Sequence, residues 1–269
     1  MLRKLLKYEI KATSRTFMPL YGALLLVSLV SNLLSYSLSD FNLGFGITFT
    51  LLIGLFVALG VMTLVVLIQR FNVNLLGDEG YLMFTLPVKA HQLILSKLIT
   101  TIFWSFLSCI VSILTFILLV DGLNFSFFKE FFTVLFTEFT SISEVLSQAM
   151  QHDLFRQTLT IILLILALGV STYIGFILEI YLALSIGQLP MFCKHRNIAS
   201  VVAFFVINSG LQFITPILML LAGNFFPLGL SFFYNPIFWL SLYLVFVIMV
   251  DVLFFFAIQA ILNKHLNLE

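Results

Sequence analysis

Glu179 and Asp251 are the two acids that fall inside long apolar runs of the sequence. A charge near the centre of a bilayer costs about 2.5–3.5 kcal/mol on insertion scales, so such a group normally faces a partner or water. Two chemistries suit the pair. One is a proton relay serving transport, and the other is a structural ion pair or interhelical hydrogen bond, for which Lys97 and Arg70 stand at the same level as Glu179. Other chemistry is missing by motif. No Gly-Lys pair occurs, so there is no glycine-rich loop ending in Gly-Lys-Ser/Thr to cradle phosphates. Asn208-Ser209-Gly210 lacks the first glycine of an intramembrane Gly-x-Ser-Gly, and no His-Glu-x-x-His is present. His91, His152, His195 and His265 are scattered and form no metal-binding pattern. The expectation is a chain that does no covalent chemistry, holds no metal and carries no cofactor.

The elements that must position the two acids follow from composition. The chain has 269 residues, of which 61% are hydrophobic and 9% charged, with a mean hydropathy of +1.16. A soluble domain carries roughly 25% charged residues, so most of this surface must meet lipid. A net charge of +1 gives no basic surface for nucleic acid. Cys109, in an apolar run, reads as a buried packing thiol, and Cys193, in a short loop, as incidental. A spanning helix needs about 20 apolar residues. Six stretches qualify: 17–38, 47–68, 98–120, 159–186, 198–222 and 237–262. The expected fold is an all-α integral membrane protein, a single transmembrane domain over 1–269.

Orientation follows from Lys and Arg. With a cytoplasmic N-terminus, eleven basic residues fall inside, and only Lys129 and Arg156 fall outside. Both termini are therefore expected in the cytoplasm. The apolar core of the first span is too long for a signal peptide, so the N-terminus is expected to be retained. Residues 1–15 place Leu2, Leu5, Leu6 and Ile10 near one helical face and Arg3, Lys4, Lys7 and Lys11 largely on the other. That pattern predicts an amphipathic interfacial helix drawn to anionic lipid. Between spans three and four, Phe128, Phe131, Phe132, Leu135, Phe136 and Phe139 recur at helical spacing, with Glu130 and Glu138 between them. Ser141 with Glu144 reads as a capping box opening a second short helix. Two short extracellular helices are expected there, either covering the outer end of the bundle or gating it.

The stretch 74–98, NLLGDEGYLMFTLPVKAHQLILSKL, is a polar interruption on the cytoplasmic side. Gly77 suits the end of span two. Asp78 can cap a short helix, and Glu79 stands favourably near its positive end. Gly80 weakens that helix, Tyr81 to Phe84 supply an apolar knob, and Pro87 ends the piece by disfavouring helix at Leu86. A short helix displaying acids and aromatics on the inner membrane surface serves a soluble partner.

The string LLGDEGYLMFTLPV at 75–88, with HQLILSK at 91–97, resembles the first cytoplasmic loop of bacterial ABC-transporter permeases of the type-two exporter class. SIGQL at 185–189, KHR at 194–196 and LNLE at 266–269 agree in order and in topological place, so the resemblance runs through the whole chain. Lys89 departs from the pattern, since such permeases commonly have Ser or Thr there to cap the next helix. The resemblance implies a multi-pass protein of the bacterial plasma membrane, working beside a second permease subunit, identical or homologous. Each permease would rest on its own copy of an ATP-binding subunit. It makes the piece between spans two and three a coupling helix, with Asp78, Glu79, Gly80, Tyr81, Phe84 and Pro87 as the ATPase-coupling residues. Energy would come from ATP hydrolysis by the partner, and the chain would export its substrate by alternating access. The alternative is a proton-coupled secondary transporter using Asp251 and Glu179. Such transporters are commonly built from inverted repeats with broken helices at mid-membrane, and no convincing half-to-half similarity is present.

Overall fold

A computed structural model describes residues 2–37, 42–72, 90–121, 129, 130, 133, 153–225 and 236–264. Six long α-helices run through them: α1 Leu2–Ser37, α2 Asn42–Phe71, α3 Ala90–Asp121, α4 Asp153–Gly187, α5 Arg196–Phe225 and α6 Pro236–Lys264. A 3-10 turn, Pro190–His195, joins α4 to α5. All six helices are long and apolar enough to cross a membrane, and they coincide with the six stretches expected from sequence. Large apolar side chains stand outward along them, Leu26, Val57, Phe106, Leu166, Phe205 and Leu253 among them. Water would not tolerate so continuous an apolar exterior, and hydrocarbon does.

The N-terminal reading needs one correction. Nothing separates an interfacial helix at 1–15 from a span beginning at 17, because α1 is unbroken from Leu2 to Ser37. Lys7, Lys11 and Arg15 stand exposed, as amphipathicity requires. The opposite face, however, is a buried seam of Glu9, Thr13, Phe17, Tyr21, Leu24, Ser28 and Ser31 at steps of three and four. That seam commits the basic segment to protein packing in the same register as the span that follows. The outer helices and the coupling stretch lie almost wholly outside the described residues; of them, Lys129 and Glu130 are helical and exposed. Cys109 is exposed, contrary to the packing role expected of it, because it stands on the outward face of α3 beside Ile110.

The chain divides into two compact units, residues 1–67 with 99–148 and residues 68–98 with 149–269. In the first, Phe17, Tyr21 and Leu24 of α1 pack with Leu59 of α2 and with Trp104 and Val111 of α3. Phe17 and Trp104 stack with centroids 4.8 Å apart. Polar contacts set the register. The Trp104 indole N–H donates to Thr13 Oγ1, Tyr21 Oη and Ser108 Oγ share a 2.7 Å bond, and Asn32 Nδ2 donates to the Leu119 carbonyl at 3.1 Å. Partner numbers rise together along both helices, so α1 and α3 run parallel, as two spans separated by one crossing must.

In the second unit α4 is the centre, packing most extensively on α6 and next on α5. From Ile177 to Ala183 it is buried on every side, whereas its N-terminal half is largely exposed. Tyr181 stacks on Phe71 with centroids 4.1 Å apart. The reversal into α5 depends on Gly187. A Cβ there would overlap Ser200 Oγ and lie 2.7 Å from the Arg196 carbonyl oxygen, which is backbone and cannot step aside. Gly187→Ala should therefore destabilise the protein by about 1–3 kcal/mol, the usual cost of overpacking. Gly22→Ala is the control, since a Cβ at Gly22 meets nothing within 4 Å. Thermal melts of both variants in detergent check this; equal melting temperatures would mean that the α4–α5 turn adapts freely.

Candidate functional site

Three helices of the second unit, each contributing one stripe, line an open cavity of about 300 Å³. From α4 come Thr172, Gly175, Phe176 and Glu179, at steps that keep them on one helical face. Asn208, Leu211, Gln212 and Thr215 of α5 repeat the same spacing. Helix α6 supplies aromatics, Tyr243, Phe246 and Phe254, together with Asp251. Polar residues thus recur once per turn along α5 where it meets α4, while its opposite face is apolar and exposed. A helix bathed entirely in lipid has no use for such a stripe.

The structure therefore brings Glu179 and Asp251 to the same site from different helices. Their settings differ. Glu179 is 4% exposed, and the Asn208 amide stands beside it as a hydrogen-bond donor. The Asn208 Oδ1 in turn accepts from Gln212 Nε2 at 2.7 Å. One Glu179 oxygen, Oε1, is buried and has no hydrogen-bond partner among the described residues. Asp251 lies against the backbone of α4: a Cβ on Gly175 would overlap its Oδ1. Glycine at 175 is what leaves room for that carboxyl. Lys97 is buried and Arg70 half-buried, and the amide of Asn208 is placed against Glu179.

Asp78, Glu79, Gly80, Tyr81, Phe84 and Pro87 lie outside the described residues. The SIGQL stretch forms the turn between α4 and α5. There Gln188 N–H donates to the Ser185 carbonyl at 3.2 Å and Leu189 N–H to Ile186 at 3.1 Å. The Gln188 side-chain amide reaches Asn72 Oδ1 at 3.5 Å, so this turn is held against the end of α2 within the same unit. Among the described residues, no group of three or more His, Cys, Asp or Glu side chains could hold a metal ion. Sequence reasoning found the two acids but missed Thr172, Asn208, Gln212, Thr215 and Tyr243. The signal was available, because 208, 212 and 215 follow helical spacing within an otherwise apolar run.

The chain was compared with protein-family models, with curated proteins and with solved structures, and it matches none of them.

Proposed function

We propose that this chain is the membrane-spanning permease subunit of an ATP-driven exporter, resembling type-two ABC permeases and moving its substrate by alternating access. The observation that carries the reading is the ordered set of cytoplasmic motifs in a six-helix chain: LLGDEGYLMFTLPV after the second helix, SIGQL after the fourth, and LNLE at 266–269. The lack of any Gly-Lys phosphate loop accords with energy supplied by a separate ATP-binding polypeptide. In this reading Asp78, Glu79, Gly80, Tyr81, Phe84 and Pro87 seat in that partner. Two permeases and two ATPases make the working unit, in a bacterial plasma membrane with both termini cytoplasmic.

The test is purification from native membranes in mild detergent. A polypeptide bearing a phosphate loop should co-purify, the complex should hydrolyse ATP, and the chain alone should neither bind nor hydrolyse it. Nucleotide binding by the isolated chain would remove the reason for assigning energy supply to a partner.

A second reading is favoured by the convergence of Glu179 and Asp251 on one cavity. Paired carboxyl groups at membrane depth are the usual equipment of a proton-coupled transporter. Uptake into liposomes driven by a pH gradient, with no ATPase present and lost in Asp251→Asn, would establish that reading and displace the first.

A further inference from the structure

We propose that the cavity between α4, α5 and α6 is a binding site for a small organic cation, an amine with an apolar body. The proposal names the substrate class of the transporter proposed above and rests on that reading for its meaning in transport; binding itself does not depend on the energy source. Three observations carry it. First, among the described residues the lining holds two carboxyl groups and no basic side chain, which disfavours an anion. Second, Glu179 lines this cavity, and its Oε1 is buried with no hydrogen-bond partner among the described residues. Leaving a buried acceptor unsatisfied is costly, and a ligand N–H or an adjacent ammonium would relieve it. Third, four aromatic side chains, Phe176, Tyr243, Phe246 and Phe254, line the same cavity as Asp251.

That combination discriminates among cations. Ring faces attract an ammonium through their quadrupole, most strongly when the site is desolvated. Calcium takes six to eight oxygen ligands, and magnesium a near-ideal octahedron; among the described residues no third acidic side chain joins these two carboxyl groups to build such a shell. A bare proton needs no space, whereas the cavity measures about 300 Å³. That is near the lower end of small-molecule sites, which run to about 1,000 Å³. The Asn208–Gln212 amide pair, with Thr172 and Thr215, leaves polar contacts for a ligand that carries a hydroxyl or amide besides its amine.

The probe is radiolabelled benzyltrimethylammonium, whose permanent charge cannot be traded for a proton. Its saturable binding is measured by equilibrium dialysis against the full chain in lipid nanodiscs, with empty nanodiscs as background and no ATPase present. Saturable binding is expected. Unlabelled probe should displace it, and neopentylbenzene, the neutral carbon isostere, should not. Glu179→Gln and Asp251→Asn should each weaken binding about tenfold or more, as loss of a charged partner does, and the double variant should show no saturable binding. These changes keep side-chain shape, and a melt of each variant confirms folding. Gly175→Ala gives an independent check, because its new methyl must push the Asp251 carboxyl aside and so weaken binding with both acids retained. Absence of saturable binding to the wild type overturns the proposal. So does undiminished binding in the folded double variant, or equal displacement by the neutral isostere. Binding without ATPase co-purification would leave this site standing and defeat the exporter reading, and the converse result would do the reverse.

Discussion

Replacing Asp78 and Tyr81 together by alanine should release the ATP-binding partner proposed above and abolish the proposed ATP-coupled transport, while leaving the melting temperature of the chain nearly unchanged. The sequence alone motivates this, since both residues lie between α2 and α3 in the stretch outside the described residues. Aromatic and charged anchors carry most of the energy of small interfaces, and each hot spot costs about 2 kcal/mol or more when truncated. Two such losses lower affinity about a thousandfold, enough to lose the ATPase during purification. Glu130→Ala is the matched control. Glu130 is exposed and is expected on the opposite side of the membrane, so its loss should leave the ATPase bound. Each variant is scored by retention of the ATPase on an affinity column and by a melting curve. A double variant that keeps its ATPase but melts early would make the loop structural and remove the coupling role.

The spans were legible because lipid simplifies the sequence code. Hydrocarbon cannot hydrogen-bond backbone groups, so each long apolar run must be helical, and α2 through α6 extend each predicted span by a few residues at the ends. The error at the N-terminus has the same root. Composition changes sharply between Arg15 and Phe17, and that change reads as a boundary; backbone hydrogen bonding does not follow composition, and α1 continues through it. Spacing was the better guide. Glu9, Thr13, Phe17 and Tyr21 are four residues apart, a single seam that ignores the switch from basic to apolar surroundings.

The cavity was half legible. Glu179 and Asp251 are conspicuous as charges within apolar runs, but their convergence depends on how α6 packs against α4, which no local signal encodes. Gly175 is the clearest example. In sequence it is one more small residue in a membrane helix, and only the packed structure shows Asp251 occupying the space its missing side chain leaves. Of the two structural alternatives for Glu179, an ion pair or an interhelical hydrogen bond, the described residues supply the second from the Asn208 amide, which α5 brings against that face of α4.

Trp104→Ala should be among the most destabilising single substitutions in the first unit. Trp104 is 3% exposed and joins α3 to α1 in two ways, through its stack on Phe17 and its N–H bond to the buried Thr13 hydroxyl. Large-to-small changes at such sites cost about 3–5 kcal/mol in soluble proteins. Part of that figure is transfer from water, which is nearly absent where the surrounding solvent is hydrocarbon, so packing supplies most of the loss and the lower end, about 3 kcal/mol, is expected. Trp104→Phe separates the two contributions: it retains an aromatic ring for the stack and removes the N–H. Hydrogen bonds between membrane helices contribute about 0.6 kcal/mol on average, so the phenylalanine variant should lose far less than the alanine variant. Phe106→Ala is the control, because that ring is 67% exposed on the outward face of the same helix and its removal should be nearly silent. Unfolding by SDS titration in mixed micelles ranks the three. If Trp104→Ala and Phe106→Ala unfold at the same SDS fraction, the stack and the Thr13 bond do not hold α1 to α3, and the parallel register must rest on the contacts of Tyr21 with Ser108 and Asn32 with Leu119.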